Sequence, residues 1–477
     1  MSMHARARLP SRLGLALIAG LLLGGATQCS YRGHNFGGTS SSSSQTTSGP
    51  IARFGSEWVN GVEFQTGSAA LTLDGVTAIE AQLLVGQVAT VSGTVSGATG
   101  TASAVTVTNK LIGPVTAIDL AGGTVTVLGQ TVRLTGDTSV GPGVAPTDVG
   151  GILLGQVVAV DGYRTSGGLI ATRFDRVTQV TLYQASGRVT NLSGALQTLT
   201  LAGTTVDWSG IGGLPAGVAN GSYVVASGGT LGGLSTLHAS SVRLITELPA
   251  GASGAPGSIH GAITRYASTS DFDVAGQAIS GATSASYLNG ASSDLAQDVE
   301  VEVSGSYDSG GTLVASTIDV RPVPQVRVVG PVDAIDATAQ TLRIAGITLS
   351  TNAHTRWDDR GLLALRTFGL ATLATGDWVE ARGVSSGTAA ATVNVLERRI
   401  SPAPALVELQ DVAAAVADPA FTLTGVTVDT HSATFADVTG QSLTRVAFFA
   451  TVAGKRVRAR GTLSGATLSA QTVALRE

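Results

Sequence analysis

The chain is poor in cysteine, lysine, aromatic residues and charge, and each shortage excludes something. Cys29 is the single cysteine in 477 residues, so neither a disulfide framework nor a zinc site built on cysteines is available. Lysine occurs twice, at Lys110 and Lys455, and aromatic residues make up 4%. Charged residues reach 13%, about half the ~25% of ordinary domains, and far too little Glu, Lys and Leu for a coiled coil. A net charge of −4 and a pI near 5.9 argue against a basic nucleic-acid binder. A mean hydropathy of +0.31 argues against disorder. Beyond the first residues no apolar run is long enough to cross ~30 Å of hydrocarbon as a helix. Glycine is what the chain has in excess: 63 residues, nearly twice the usual ~7%. These limits leave a turn-rich, all-β protein.

The N-terminus reads as processing sequence. His4, Arg6, Arg8 and Arg12 precede an 11-residue apolar run, LGLALIAGLLL, which fits a secretory signal over residues 1–28. Gly24, Gly25 and Ala26 supply small residues before Cys29, and a Gly/Ser/Thr-rich segment, 29–50, reads as a flexible tether. Cys29 stands where a bacterial lipoprotein carries its acylated residue. Gln28 and Ala26 depart from the usual lipobox, so cleavage after Ala26 with a free Cys29 is the competing reading. The expectation is an exported protein of a Gram-negative bacterium, periplasmic or attached to the outer membrane. A lipid on Cys29 would be its one membrane contact.

Two spacings reveal internal repetition, which decides the architecture. A strand-like octapeptide closing in glycine recurs as GQVATVSG, GQVVAVDG, GSYVVASG, DVEVEVSG, GDWVEARG and GKRVRARG. The closing glycines are Gly93, Gly162, Gly228, Gly305, Gly383 and Gly461. A second element, G-x-[VI], opens at Gly113, Gly187, Gly261 and Gly330, and a glycine follows 15 or 16 residues later at Gly129, Gly203, Gly276 and Gly346. Apolar alternation on both sides of the second glycine predicts a tight hairpin. Gly425 keeps that hairpin near the C-terminus, and EWVNGVEF around Gly61 is the most degenerate copy.

The expected fold is six tandem small five-stranded OB-like β-barrel repeats, at 51–110, 111–182, 183–247, 257–323, 326–400 and 405–477. In the second unit the predicted strands are 115–118, 124–128, 130–134, 156–160 and 170–173. Five strands with an insertion between the third and fourth is the order of an OB barrel. The insertion reads as locally helical at 361–373, and SSDL (292–295) as one capped helical turn. Each octapeptide is expected to pair with the strand after it, turning at the closing glycine with φ > 0. Val158, Val160, Val299, Val301, Val303 and Val457 are the expected core. A continuous solenoid is the alternative architecture. Proline-rich boundaries, including 321–324, suggest units with separate cores, so cutting near Pro324 should leave two soluble halves.

Residues 113–177 (GPVTAIDLAGGTVTVLGQTVRL … GQVVAVDGYRTSGGLIATRFDRV) resemble the bacterial domain of unknown function 5666 family. The resemblance rests on the G-x-V opening, the LGQTV hairpin, the GQVVAVDG strand and the IATR strand. It extends well to the fourth and fifth copies and in outline to the others. It implies tandem repeats in an exported protein, often a lipoprotein, and transfers no catalytic residue.

Chemistry-bearing patterns are sparse. The six histidines show no metal-pair spacing, and no catalytic residue, metal or cofactor is assigned. The densest polar cluster, HTRWDDRG, makes His354, Trp357, Asp358 and Asp359 the candidate ligand-site residues. Arg356 and Arg360 alternate with the acids, so a charge-balanced loop before a helix is the plainer reading. Asp271 and Asp273 share one strand face, which is more often a wet face than an acid–base pair. GVSSG (383–387) matches a nucleophile pattern but lacks the strand-then-helix setting. KRVRAR (455–460) puts Arg456, Arg458 and Arg460 on one strand face, for an exposed edge or an acidic partner. The expected function is non-enzymatic binding or scaffolding in the envelope, with an unknown envelope protein or glycan as partner and no nucleic acid. The alternatives are a carbohydrate-binding or carbohydrate-processing protein using Trp357 or Trp208, and an enzyme built on His354 and Asp358.

Overall fold

The computed structural model describes residues 43–141, 149–245 and 251–476. The signal segment, Cys29 and most of the tether lie outside the described residues. Strands dominate, in three sheets of 13, 12 and 15 strands. Among the described residues the one α-helix is Arg445–Thr451.

Strand pairing within the second unit defines a closed barrel. Leu111–Asp119 pairs with Thr124–Val127, which pairs with Gln130–Val140. Gln130–Val140 then runs parallel to Gly168–Arg176, which pairs back through Val157–Thr165 to the first strand. Order 1-2-3-5-4-1, with strands three and five parallel, is that of an OB barrel. All five strands expected here are present, four of them longer than expected and the second, Thr124–Val127, one residue shorter. Residues 43–107 close the same cycle, as do 183–244 and 256–320. In the third sheet, 326–398 and 407–476 each contain a parallel pairing of third to fifth strand and an antiparallel pairing of fourth to first.

The short hairpins turn where glycine spacing places them. Leu128–Gly129, Ala202–Gly203, Ala275–Gly276, Ala345–Gly346, Thr424–Gly425 and Asn60–Gly61 all have positive φ at both residues. That is the two-residue type I′ turn, whose twist matches the flanking strands.

The octapeptide glycines do something else. Five of the six octapeptides pair with the next strand as expected, while the third pairs with Ser241–Leu244 around the short hairpin Thr230–Gly232 and Thr236–His238; the turn comes three to five residues after the glycine, as at Gly97–Ala98 and Thr388–Ala389. Of the closing glycines only Gly162 has a positive φ, 154°. The shared feature is a close approach between backbones. A Cβ at Gly93, Gly162, Gly228, Gly305, Gly383 or Gly461 would lie 1.9–2.2 Å from a carbonyl oxygen of the partner strand. Pairing register shifts at five of the six, so most of these glycines mark β-bulges.

Three further expectations change. Ser43–Arg53 is a strand, so the last eight tether residues, 43–50, belong to the first barrel. Their composition reads as flexible, but pairing with Val88–Val95 and burial of Thr47 override it. Segment 361–373 holds only a 3₁₀ turn at Leu370–Thr372, and SSDL likewise gives a 3₁₀ turn at Ser292–Asp294. The α-helix occupies the insertion of the last copy instead, capped by Thr444, whose hydroxyl accepts from Ala447 N–H. Val158, Val160, Val301, Val303 and Val457 are fully buried, while Val299 packs only partly buried at the edge of its cluster.

The barrels do not hang separately. One apolar cluster runs through the second and third units, another through the fifth and sixth. Strands 326–331 and 407–412 pair across the latter boundary. The first and fourth units, far apart in sequence, join through a parallel pairing of Thr46–Ser48 with Gly257–Ile259. Units one, two, four and five also meet through polar side chains.

Candidate functional site

Where those four units converge lies a cavity of about 290 Å³. The fourth unit contributes His260 from its first strand, Glu300 from its fourth, and Arg321 just past its fifth. The fifth contributes Asn352, His354, Arg356 and Asn394. Asp137, at a bulge in the second unit's third strand, Asn60, in a type I′ turn of the first, and Asn289 of the fourth also line it.

Nearly every charge is held by an opposite one. Arg356 bonds Asp137 at 2.8 Å, and Asn394 donates to the same carboxylate at 3.1 Å. His260 Nε2 lies 2.9 Å from Glu300. Arg321 reaches Glu302 at 2.6 Å and His354 Nδ1 at 2.8 Å. Glu302 lies 3.3 Å from the same Nδ1.

These contacts move the carboxyl groups apart in acidity. Burial alone would raise Glu302, but the charges of His354, Arg321 and His260 overcome it and hold the group down to about 2. Glu300 is lowered in the same way: burial opposes, and the hydrogen bond and charge of His260 prevail. Asp137 is raised, by burial and by repulsion from Glu300, against the pull of Arg356.

Strand alternation divides the candidate cluster of the sequence analysis. His354 lines the cavity. Trp357, on Arg356–Asp359, points into the fifth barrel, 3% exposed and edge-on to Phe368 at 5.8 Å. It therefore presents no stacking face. Asp359 pairs with Arg398 and accepts the N–H groups of Gly361 at 2.9 Å and Leu365 at 2.7 Å, organising the connection after its strand. Asp358 holds Arg360 at 2.8 Å and reaches Arg173 of the second unit at 3.5 Å. The segment is charge-balanced, but it is a strand rather than a loop, and no helix follows.

Other sequence candidates are similarly placed. Trp208 is 9% exposed in the shared core of units two and three. Asp271 and Asp273 both grip Arg265 on an exposed strand face. GVSSG lies within the strand Trp378–Gly387. Arg456–Ser464 is no edge strand: it pairs on both sides, with Val407–Val412 and Thr467–Arg476. Cys29 lies outside the described residues. Among the described residues, no helix is long and apolar enough to cross a membrane.

One recurring set escaped sequence reasoning. Glu302, Asp319 and Arg321 form an ion-pair trio in the fourth unit, with the arginine 2.6 and 3.3 Å from the acids. Glu380, Glu397 and Arg399 form the same trio in the fifth, at 3.0 and 2.7 Å. The signal was present: in both copies a glutamate precedes the octapeptide glycine by three residues, and [DE]-x-R closes the last strand.

Segments 112–174, 260–319 and 329–393 match the family model of domain of unknown function DUF5666. The chain thus carries repeated copies of that domain, and these are the copies that meet around the cavity, with the first unit beside them. No curated protein matches the chain.

Proposed function

We propose, from the premise of a chain built on repeated copies of this domain, that the protein is a non-enzymatic binding or scaffold protein of the bacterial envelope. One observation carries the reading. Ionisable side chains where the copies converge are engaged in joining barrels, through contacts such as Arg356–Asp137 and Arg321–His354, rather than arranged around an open reactive centre. A body of this kind supplies a rigid surface of similar modules. The N-terminal signal, Cys29 and the tether would place it beyond the inner membrane. Fractionation of cells producing wild type and Cys29→Ser tests the placement: an anchored wild type and a soluble variant support it. Equal solubility of the two in the periplasm removes the lipoprotein part.

The cavity favours a second reading, recognition of a small polyhydroxylated ligand such as a carbohydrate. Asn60, Asn289, Asn352 and Asn394 all line it, and each amide both donates and accepts, as hydroxyl groups require. A glycan array separates the readings. Binding lost in Asn352→Ala supports the cavity ligand, and an array without any binder leaves the scaffold reading alone.

A further inference from the structure

We infer that the third unit takes an extended peptide of a partner protein as an added strand, laid parallel to Ser241–Leu244, with a large apolar residue opposite Val242 and an acidic residue opposite Arg243. The inference rests on the binding reading above and names the kind of partner. It starts from a comparison of the copies. In the other five units a second segment follows the third strand and runs parallel to the last half of the fifth. These segments are 70–73, 139–140, 286–288, 356–359 and 434–436. Each sets one apolar residue opposite a buried residue of the fifth strand: Leu71, Val140, Tyr287, Trp357 and Phe435.

The third unit breaks this pattern. Its fifth strand is split into Thr236–His238 and Ser241–Leu244. The first piece runs parallel to Thr204–Asp207, but the second pairs with Tyr223–Gly228 alone. Val242 occupies the equivalent core position, and no strand residue stands opposite it on the open side. The sequence explains the difference. Leu214 falls as far past Asp207 as Tyr287 falls past Ser280 and Trp357 past Ser350. It is followed by Pro215, which has no N–H for a ladder, and Gly212, Gly213 and Gly217 hold positive φ around it. Leu214 therefore lays a partly buried side chain against the shared core while its backbone joins no strand.

An edge of unpaired N–H and C=O groups is a template for an added strand, and Leu244 at its end is 47% exposed. Arg243 supplies the charge preference. Among the described residues it makes no ion pair, and its Nε has no hydrogen-bond partner. In the register of the fifth unit, the residue that follows the apolar one stands opposite the Arg243 position, and there it is Asp358. A carboxylate at that point meets a guanidinium fork. Residues 30–42 of the chain contain no acidic residue, so the chain's own tether does not match. Two copies related by a twofold axis would meet antiparallel through this edge, against the parallel direction of all five other segments.

A fluorescein-labelled peptide with the sequence of residues 353–360, AHTRWDDR, tests the inference by anisotropy on the full chain. The peptide should bind, and hydrogen exchange should slow at 241–244. The peptide variant Trp357→Ala should lose binding. Arg243→Glu in the protein should weaken binding about tenfold, the loss of a charged hydrogen bond, and the peptide variant Asp358→Lys should restore it. Leu214→Ala should tighten binding, because the peptide no longer has to displace that side chain. Absence of binding at millimolar peptide overturns the inference, and so does equal binding of a scrambled peptide or protection confined to other segments. A chain that is dimeric without peptide, with 241–244 already protected, assigns the edge to a second copy and also overturns it. None of these outcomes bears on the fractionation of the Cys29→Ser variant, so failure here is distinct from failure of the envelope reading.

Discussion

The boundary between the fifth and sixth units and the seam between the second and fifth join barrels by opposite means. At the first, strands pair directly and one apolar cluster runs from Val326 to Val473. At the second, Arg382, 2% exposed, donates to the carbonyls of Gly136 and Thr138 and to Glu397, and Arg356 holds Asp137. Units five and six are fused by apolar burial, which is strong and unselective. Units two and five meet through buried charge, which is costly to desolvate and tolerates one partner only. An outward-facing strand side that would normally be wet is thereby specified as an interface.

Breaking the charged seam should have the largest effect. Arg382→Ala leaves Glu397 and two carbonyls short of a donor, and loss of one partner of a buried pair costs about 3–5 kcal/mol. Denaturant unfolding should show that loss, with hydrogen exchange rising first at 136–140 and later in the shared core of units five and six. Unfolding in a single unchanged step would show that the seam does not differ from the boundary.

Two buried glutamates sharpen the contrast through pH. Glu57, in the first barrel, is fully buried and neither carboxylate oxygen has a hydrogen-bond partner. Burial, with repulsion from Glu80, pushes it up to about 7 against the pull of Arg366. Its folded value exceeds the unfolded one, so its stabilisation is complete below the unfolded value near 4.5 and is lost as pH rises through about 7. Glu302 runs the other way: its contribution is present above 4.5 and lost as pH falls toward about 2. Each limb corresponds to about 3 kcal/mol. Stability profiles should lose the neutral-pH decline in Glu57→Gln and the acid decline in Glu302→Gln. Parallel profiles for the two variants would contradict the assignment.

Glycine substitutions should separate close backbone approach from turn geometry, with smaller effects. A Cβ at Gly383 would lie 1.9 Å from the Thr392 carbonyl oxygen, whereas Gly97, at φ 63°, has nothing within 4 Å. Gly383→Ala should cost about 1–3 kcal/mol by overpacking, and Gly97→Ala about 1 kcal/mol for its left-handed backbone alone. Thermal melts that rank them in reverse would return the octapeptide glycines to the turns. Smallest of all, Arg265→Ala removes a pair on an exposed face and should leave melting unchanged.

Local geometry was legible in the sequence, and distant partners were not. The type I′ hairpins at Leu128–Gly129 and Ala345–Gly346 could be read because two positive-φ residues between alternating strands leave a local signature. Octapeptide pairing was legible too, but alternation alone does not say whether a glycine turns the chain or lets a neighbouring carbonyl approach, so Gly305 and Gly383 were misplaced. Ser43–Gly49 reads as tether because its strand character comes from Val88–Val95 and the fourth unit. Of the candidate cluster, His354 reaches the cavity, while Trp357 does not because strand alternation turns it inward. Asp137 and Arg356 are 219 residues apart in sequence, and nothing in the spacing of either copy links them.

Severing the chain between Arg321 and Gln325, by an introduced protease site, tests the central claim most directly. That cut separates units one to four from units five and six, leaving only non-sequential contacts, among them Arg356–Asp137, Asn394–Asp137, Arg173–Asp358, Arg382 on Gly136 and Thr138, His354 with Arg321, and Arg366 on the Glu80 and Leu83 carbonyls. Small-angle scattering at neutral pH should show the nicked wild type as one particle of unchanged dimensions, and the nicked double variant Arg356→Ala, Arg382→Ala as two smaller ones. Separation of the nicked wild type into two folded halves would contradict it, and would mean that the barrels are strung in series rather than locked by buried charge.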